Sequence, residues 1–303
     1  MEQIIIDQGK CTGCGICVAI CPYKAITLVH QKAEYVLADC FRCGHCQAAC
    51  PADAVHLPYL SLNLGLVTME ERKGILPPGS TDASALVALM RSRRSCRKYQ
   101  KKAVAIEILE DLVKIGTSAP SGTNSQSWGF IILPAMADML LLGENVAAYY
   151  RKLNRLAENP LLRWIVKIVG GDSLGRYYHR YYDSVSEALR EWEENGTDRL
   201  FHGAAAAILV TGRKSASCPA EDAMLATQNI LLAAHAMGLG SCLIGFVVEA
   251  IRRDPAVKRL VGVGDQEEVY SVIALGYPAV DYLRPANREI VVPRILSLAD
   301  RRG

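Results

Sequence analysis

Two stretches of the chain are built on one plan. The first reads Cys11-Thr-Gly-Cys14-Gly-Ile-Cys17-Val-Ala-Ile-Cys21-Pro22, and the second reads Cys40-Phe-Arg-Cys43-Gly-His-Cys46-Gln-Ala-Ala-Cys50-Pro51. Both have the spacing C-x2-C-x2-C-x3-C-P. The offset is 29 residues (40 minus 11), and it also carries Gly15 onto Gly44, Ala25 onto Ala54 and Leu28 onto Leu57. An internal repeat of this kind is one structural unit used twice. Three cysteines at x2 intervals let one loop wrap three iron corners of a cubane. The fourth, after x3 and before proline, is directed to the other cluster. Cys11, Cys14, Cys17 and Cys50 are therefore expected to hold one 4Fe-4S cluster, and Cys40, Cys43, Cys46 and Cys21 the second. The competing reading is a pair of structural zinc sites. Zinc modules use two C-x2-C pairs with a longer spacer, which the three-plus-one pattern does not match. His30, His45 and His56 fall outside the ligand positions and read as surface or packing residues.

Of the 11 cysteines, 8 lie between Cys11 and Cys50, and in a reducing cytosol such a density is not a disulfide framework. Residues 1–60 resemble a bacterial two-cluster ferredoxin along essentially their whole length. Two adjacent clusters imply an electron path rather than a structural staple.

The full chain has 303 residues, so more is to be explained than this small unit. Hydrophobic residues make up 50% and charged residues 21%, ordinary usage for a globular protein. The formal net charge of +3 carries no field that would mark a nucleic-acid partner. The first ten residues lack a signal-peptide core, and the longest apolar run, near residues 161–169, is interrupted by Arg163 and Lys167. The expectation is a cytoplasmic protein with no membrane and no nucleic-acid partner.

Residues 61–82 are rich in turn formers and show no period, which marks a linker between a domain at 1–60 and one at 83–303. Asp82 then caps a helix carrying Leu86, Leu89 and Met90. Further helices are expected over 104–116, 135–150 and 220–237, and strands over 127–133, 204–211, 269–275 and 289–296. Mixed elements without regular alternation point to α+β rather than a doubly wound sheet. There is no G-x-G-x-x-G, Walker loop, H-E-x-x-H or G-x-S-x-G.

Two motifs carry the chemistry of the second domain. Arg91-Ser-Arg93-Arg94-Ser95-Cys96-Arg97-Lys98-Tyr99 groups cations around a hydroxyl, which suits a phosphate, although such a run can also be a solvated face. Ala119-Pro120-Ser121-Gly122-Thr123-Asn124-Ser125-Gln126-Ser127-Trp128 concentrates small residues and amides between a helix and a strand. Such a loop can approach a planar heterocycle. Three later stretches join them: Asp198-Arg-Leu-Phe-His-Gly-Ala-Ala, Gly238-Leu-Gly240-Ser241-Cys242-Leu243-Ile244-Gly245, and Leu275-Gly-Tyr-Pro278 followed by Arg288. As a set, over roughly residues 86–296, these resemble the nitroreductase family of flavoproteins.

That resemblance implies a nitroreductase-like α+β domain holding FMN at the interface of a homodimer with exchanged terminal segments. Arg93, Ser95 and Arg97 are then expected on the FMN phosphate and ribityl chain, with Arg94 assisting and Arg288 reaching the same phosphate from the C-terminal segment. Pro120, Ser121, Asn124 and Gln126 are expected to line the isoalloxazine from the other subunit. Gly240, Ser241, Ile244 and Gly245 are expected to offer backbone groups over the ring. Ser127 stands where the family often has proline. Cys96, Cys218 and Cys242 read as small packing residues.

Residues 150–200 are an insertion containing Tyr177-Tyr178-His179-Arg180-Tyr181-Tyr182, where Tyr177 meets Tyr181 and Tyr178 meets Tyr182 at helical spacing. It reads either as an aromatic face packed on the core or as a lid over the flavin. No side chain stands out as catalytic acid or base. Tyr177, Tyr178, His179 or water are the candidate proton sources. The expected function is an iron-sulfur flavoprotein oxidoreductase. Electrons pass from a low-potential donor such as ferredoxin through the clusters to FMN, and on to a small-molecule acceptor such as a nitro compound or quinone. The alternatives are NAD(P)H reducing FMN directly with electrons leaving through the clusters, or a non-catalytic electron carrier or redox sensor.

Overall fold

The computed structural model describes residues 4–36, 40–72 and 74–297. The cysteine-rich segment folds as the repeat dictates. Helix α1 (Ile16–Ile20) is followed by strand β2 (Ile26–Val29), and helix α2 (His45–Ala48) by strand β4 (Val55–His56), at the repeat offset. Each helix starts on a glycine in the left-handed region, Gly15 and Gly44, both with φ 75°. A side chain there would be strained, which explains why glycine occupies the position between two ligands in both halves. Strand β1 (Ile5–Ile6) pairs antiparallel with β4, and β2 pairs antiparallel with β3 (Lys32–Tyr35). The small core consists of Ile4, Ile26, Ala33, Val55 and Leu57 together with Cys11, Cys17 and Cys46.

The remainder is a three-layer α+β unit. Its sheet has strand order β5 (Trp128–Leu133), β6 (Ala206–Arg213), β8 (Glu267–Gly276) and β7 (Gly240–Leu243), all antiparallel. Strand β6 is central, and seven successive residues, Ala206 to Gly212, are buried. Alternation sorts them. Ala206, Ile208 and Val210 pack with Leu109 and Leu112 of helix α4 (Ile106–Gly116) and with Ile230 and Ala234 of helix α9 (Pro219–Ala236). Ala207 and Leu209 pack with Leu142 and Val146 of helix α5 (Met136–Glu158) and with Val247 and Ile251 of helix α10 (Gly245–Arg253). A strand covered on both faces explains the unbroken apolar run from which it was expected. Helix α3 (Ala83–Ser92) is capped by Asp82, which accepts a 2.8 Å hydrogen bond from the Ser84 amide. The insertion forms helices α6 (Pro160–Gly170), α7 (Ser173–Arg180) and α8 (Tyr182–Asn195), and α11 (Pro255–Leu260) follows α10. No described helix is long and apolar enough to cross a membrane.

Three expectations are corrected. Residues 289–296 form no strand. The arm is extended and bare, with Ile290 96% and Ile295 92% exposed. It pairs with no strand of the sheet, whose order is β5-β6-β8-β7. The stretch Gly238 to Gly245, for which no strand was expected, is in part strand β7, because β8 pairs with it from Gly240 to Leu243. The linker is not free along its length. The buried Asp111 of α4 accepts hydrogen bonds from the amides of Val67 (2.9 Å) and Thr68 (2.7 Å) and from the Thr68 hydroxyl (2.7 Å), and pairs with Lys114 at 3.1 Å. Burial pushes its carboxyl up, but these donors outweigh burial and hold it down at about 2. Residues 67 and 68 are thereby stapled to the second unit.

Candidate functional site

The eight repeat cysteines ring two cavities. Cys11, Cys14 and Cys17 line the first together with Cys50, which comes from the other half of the repeat. Cys40, Cys43 and Cys46 line the second together with Cys21. The chain thus brings each fourth cysteine across, as the proline-terminated spacing leads one to expect. Amides point at the sulfurs evenly. Ala33 donates to Cys11 Sγ (3.4 Å) and Ala54 to Cys50 Sγ (3.3 Å) in the first. Arg42 donates to Cys40 Sγ and Ala25 to Cys21 Sγ (both 3.3 Å) in the second. Such donors favour a sulfur carrying negative charge. Among the described residues no three His, Cys, Asp or Glu side chains converge closely enough for a single ion. The sulfurs surround a void instead, which fits a multi-iron cluster.

The second cavity faces the flavin-type loop. The Asn124 side chain donates from Nδ2 to the Arg42 carbonyl at 2.7 Å and to the Phe41 carbonyl at 3.4 Å. Phe41 itself lines the second cavity. The loop that carries Asn124 is held in an unusual shape, with Thr123, Asn124 and Gln126 all at positive φ. Asp222, 3% exposed on α9, fixes it by accepting from the Gly122 amide (2.8 Å) and the Ser125 hydroxyl (3.1 Å). The Gln126 amide donates to Ser121 Oγ at 3.0 Å. Asp222 supplies the stiffness that a proline at position 127 would bring. Sequence reasoning missed it, since nothing local separates it from other acidic residues of a helix N-terminus.

The basic motif runs along the sheet rim. Arg93 is the C-cap of α3, and Ser95 bridges to Ser241 of β7. The Cys96 amide donates to the Ser241 carbonyl at 2.9 Å. The fit explains Gly240, because a Cβ there would lie 2.8 Å from the Cys96 side chain. Cys96 and Cys242 are buried and Cys218 is half-buried. The fields of Arg97 and Arg93 both reach Cys242, whose thiol is pushed up mainly by burial. Ser241 Oγ is buried without a hydrogen-bond partner, and a Cβ at Gly245 would meet open space. Ile244 is buried, and Arg94 lies over the Tyr282 ring at 5.0 Å.

Other expected residues stay apart. Arg288 is exposed, and its guanidinium donates to the Asn287 carbonyl. Among the described residues no hydrogen bond or ion pair joins Pro120, Ser121, Asn124 or Gln126 to Arg93, Ser95 or Arg97. A neighbour that the motifs did not single out is His202, half-buried at positive φ before β6. Burial lowers its imidazole, with Arg97 and Arg199 adding to the effect against Asp198.

The insertion is anchored chiefly through α7, while α6 buries no residue. Tyr177 donates to Asn154 Oδ1 at 2.6 Å and stacks on Tyr150 at 6.3 Å. Tyr181 meets Phe246, which follows Gly245, edge-on at 5.7 Å. Tyr178 contacts Tyr182 at 4.9 Å and lies under Arg163 at 4.1 Å. Between α5, α8 and α10 lies a cavity of about 200 Å³ with Tyr150, Leu189, Trp192 and Phe246 in its walls.

Comparison with known proteins agrees with this picture. The nitroreductase family model matches residues 90–277, and the 4Fe-4S dicluster domain model matches residues 3–51. An iodotyrosine deiodinase of Thermotoga neapolitana is 26% identical over 211 residues, 68% of this chain and 96% of that protein. A 4-nitrobenzoate reductase of a Nocardioides species is 25% identical over 207 residues, 64% of this chain and 80% of that protein. The crystal structure of a nitroreductase with bound FMN from Bacteroides fragilis superposes with a TM-score of 0.53 at 22% identity, covering 72% of this chain and all of that one.

Proposed function

The chain belongs to the nitroreductase family and carries a 4Fe-4S dicluster domain ahead of it, and from that premise we propose an FMN-dependent oxidoreductase fed through its own ferredoxin-like unit. Electrons from a low-potential external donor enter at residues 1–60 and leave at the flavin pocket to a small aromatic acceptor, a nitro compound or quinone. When bound, the clusters supply single-electron transfer and FMN supplies a two-electron, hydride-equivalent step. The observation that carries the reading is the pair of hydrogen bonds from Asn124 to the carbonyls of Phe41 and Arg42. It sets the ligand loop of the second cavity against the loop proposed to line the isoalloxazine.

The chain's own residues take these roles. The eight cysteines bind the clusters in the two groups given above. Arg93, Ser95 and Arg97 grip the FMN phosphate and ribityl chain, with Arg94 beside them. Gly240, Ser241, Ile244 and Gly245 present the rim of β7 to the ring. The orphan Ser241 hydroxyl and the open space at Gly245 both suit a bound polar heterocycle. Pro120, Ser121, Asn124, Gln126 and Arg288 complete the pocket of a second copy, so a homodimer is required. The bare arm around Ile290 and Ile295 supports that requirement. Tyr177 is committed to Asn154, which leaves Tyr178, His179 and water as sources of the acceptor's proton.

Arg93→Ala or Arg97→Ala is expected to weaken FMN retention while leaving iron content intact. A charge-assisted hydrogen bond is worth about 1.5–3 kcal/mol, so affinity falls about tenfold or more. Fluorescence titration of the apoprotein with FMN measures it, and unchanged affinity in both variants means the run is a solvated face. The electron path is tested by anaerobic stopped-flow on the fully loaded protein. With reduced ferredoxin, cluster absorbance is expected to change before flavin absorbance. If NAD(P)H bleaches the flavin first and the clusters afterwards, electrons run outward and the reading is reversed.

A further inference from the structure

The two cysteine cavities come from one repeated sequence, yet they are unequal. At the repeat offset, Tyr59 stands where the first half has His30. His30 is exposed, whereas Tyr59 packs against the core of the cluster unit. Arg42 covers its ring at 5.3 Å. The Tyr59 hydroxyl is enclosed by protein and has no hydrogen-bond partner. A buried hydroxyl left unpaired is costly, and its persistence calls for an acceptor beside it; the Cys40 sulfur faces the phenol. Arg42, whose guanidinium covers that ring, also donates its amide to Cys40 Sγ at 3.3 Å, so the phenol packs on the ligand loop of the second cavity. The backbone amides among the described residues do not distinguish the cavities, since Ala33 and Ala54 serve sulfurs of one and Arg42 and Ala25 sulfurs of the other. Tyr59 does.

We propose that the Tyr59 hydroxyl donates a hydrogen bond to the sulfur of the cluster held by Cys40, Cys43, Cys46 and Cys21, and raises its reduction potential above that of its sister. A donor aimed at cluster sulfur stabilises the more negative, reduced form. Tyr59 is thus a positioning and tuning residue. Its significance rests on the electron path proposed above: the tuned cluster is the one whose ligand loop Asn124 holds, so electrons gather on the flavin side.

The test is an equilibrium redox titration of the full-length anaerobic protein carrying both clusters, followed by EPR. In Tyr59→Phe one cluster is expected to become about tenfold harder to reduce, which is about 59 mV for one electron, while the other is unchanged. 3-Fluorotyrosine at position 59, a stronger donor, moves the same signal the opposite way. That signal is the one lost in Cys21→Ala. An unmoved pair, an equal shift of both, or a shift in the signal that survives Cys21→Ala overturns the proposal. If Tyr59→Phe loses a cluster, the fluorotyrosine protein decides, and an unshifted potential there overturns it. An equilibrium titration is blind to the direction of flow, so failure of the electron path would appear only in the stopped-flow experiment.

Discussion

Deleting residues 1–60 abolishes flavin reduction by reduced ferredoxin and leaves flavin uptake intact. The buried core of the cysteine-rich unit shares no residue with the two cores of the larger unit. Every residue proposed to hold FMN lies at Arg93 or beyond. A cut after residue 60 also spares Val67 and Thr68, so the Asp111 staple survives. What is lost is the Asn124 contact with the second cavity and the cavities themselves. The truncated chain is expected to dimerise, to bind FMN with near-normal affinity, and to accept electrons from artificial donors. Flavin absorbance followed anaerobically, with full-length and truncated protein side by side, makes the measurement. Equal rates with ferredoxin would mean that the clusters are not the entry path, and direct reduction by NAD(P)H would take first place.

The second large effect is expected from Cys21→Ala. Cys21 is in the first motif by sequence but lines the cavity of Cys40, Cys43 and Cys46. Its loss should empty that cavity and spare the other, so iron falls from about eight to about four per chain. The mirror variant, Cys50→Ala, should empty the first cavity. Iron and sulfide analysis together with the EPR signals of each variant distinguish them. Selective loss of the cluster at Cys11, Cys14 and Cys17 in Cys21→Ala would refute the crossing. Since Ala25 donates to Cys21 Sγ in one half and Ala54 to Cys50 Sγ in the other, the two variants are expected to be symmetric in stability.

Residues close together in sequence spoke most clearly. The cysteine spacing yielded the cluster unit and the grouping of its cysteines around two cavities. The apolar run over 204–211 yielded a buried strand, and Asp82 a helix cap. Within the second unit the motifs were legible as a set, but their partners were not. Asp222 and His202 could not be singled out. Asp222 is placed against Gly122 and Ser125 by a helix a hundred residues further along the chain. The 289–296 arm has the composition of a strand but pairs with none in the folded chain. The tyrosine pairs of the insertion were legible from helical spacing, and their anchoring to Asn154 and Phe246 was not.

Sequence alone therefore determined that two cubane-type cavities stand ahead of a nitroreductase-family α+β unit, because ligand spacing, glycine placement and apolar periodicity act over a few residues and are written in order. Tertiary structure alone decided that the second cavity, not the first, meets the Asn124 loop, that Asp111 ties down the linker, and that Tyr59 makes the two halves of the repeat unequal. Those outcomes depend on which distant backbone carbonyls, amides and buried hydroxyls are brought within hydrogen-bonding reach, and such distances exist only once the chain has packed.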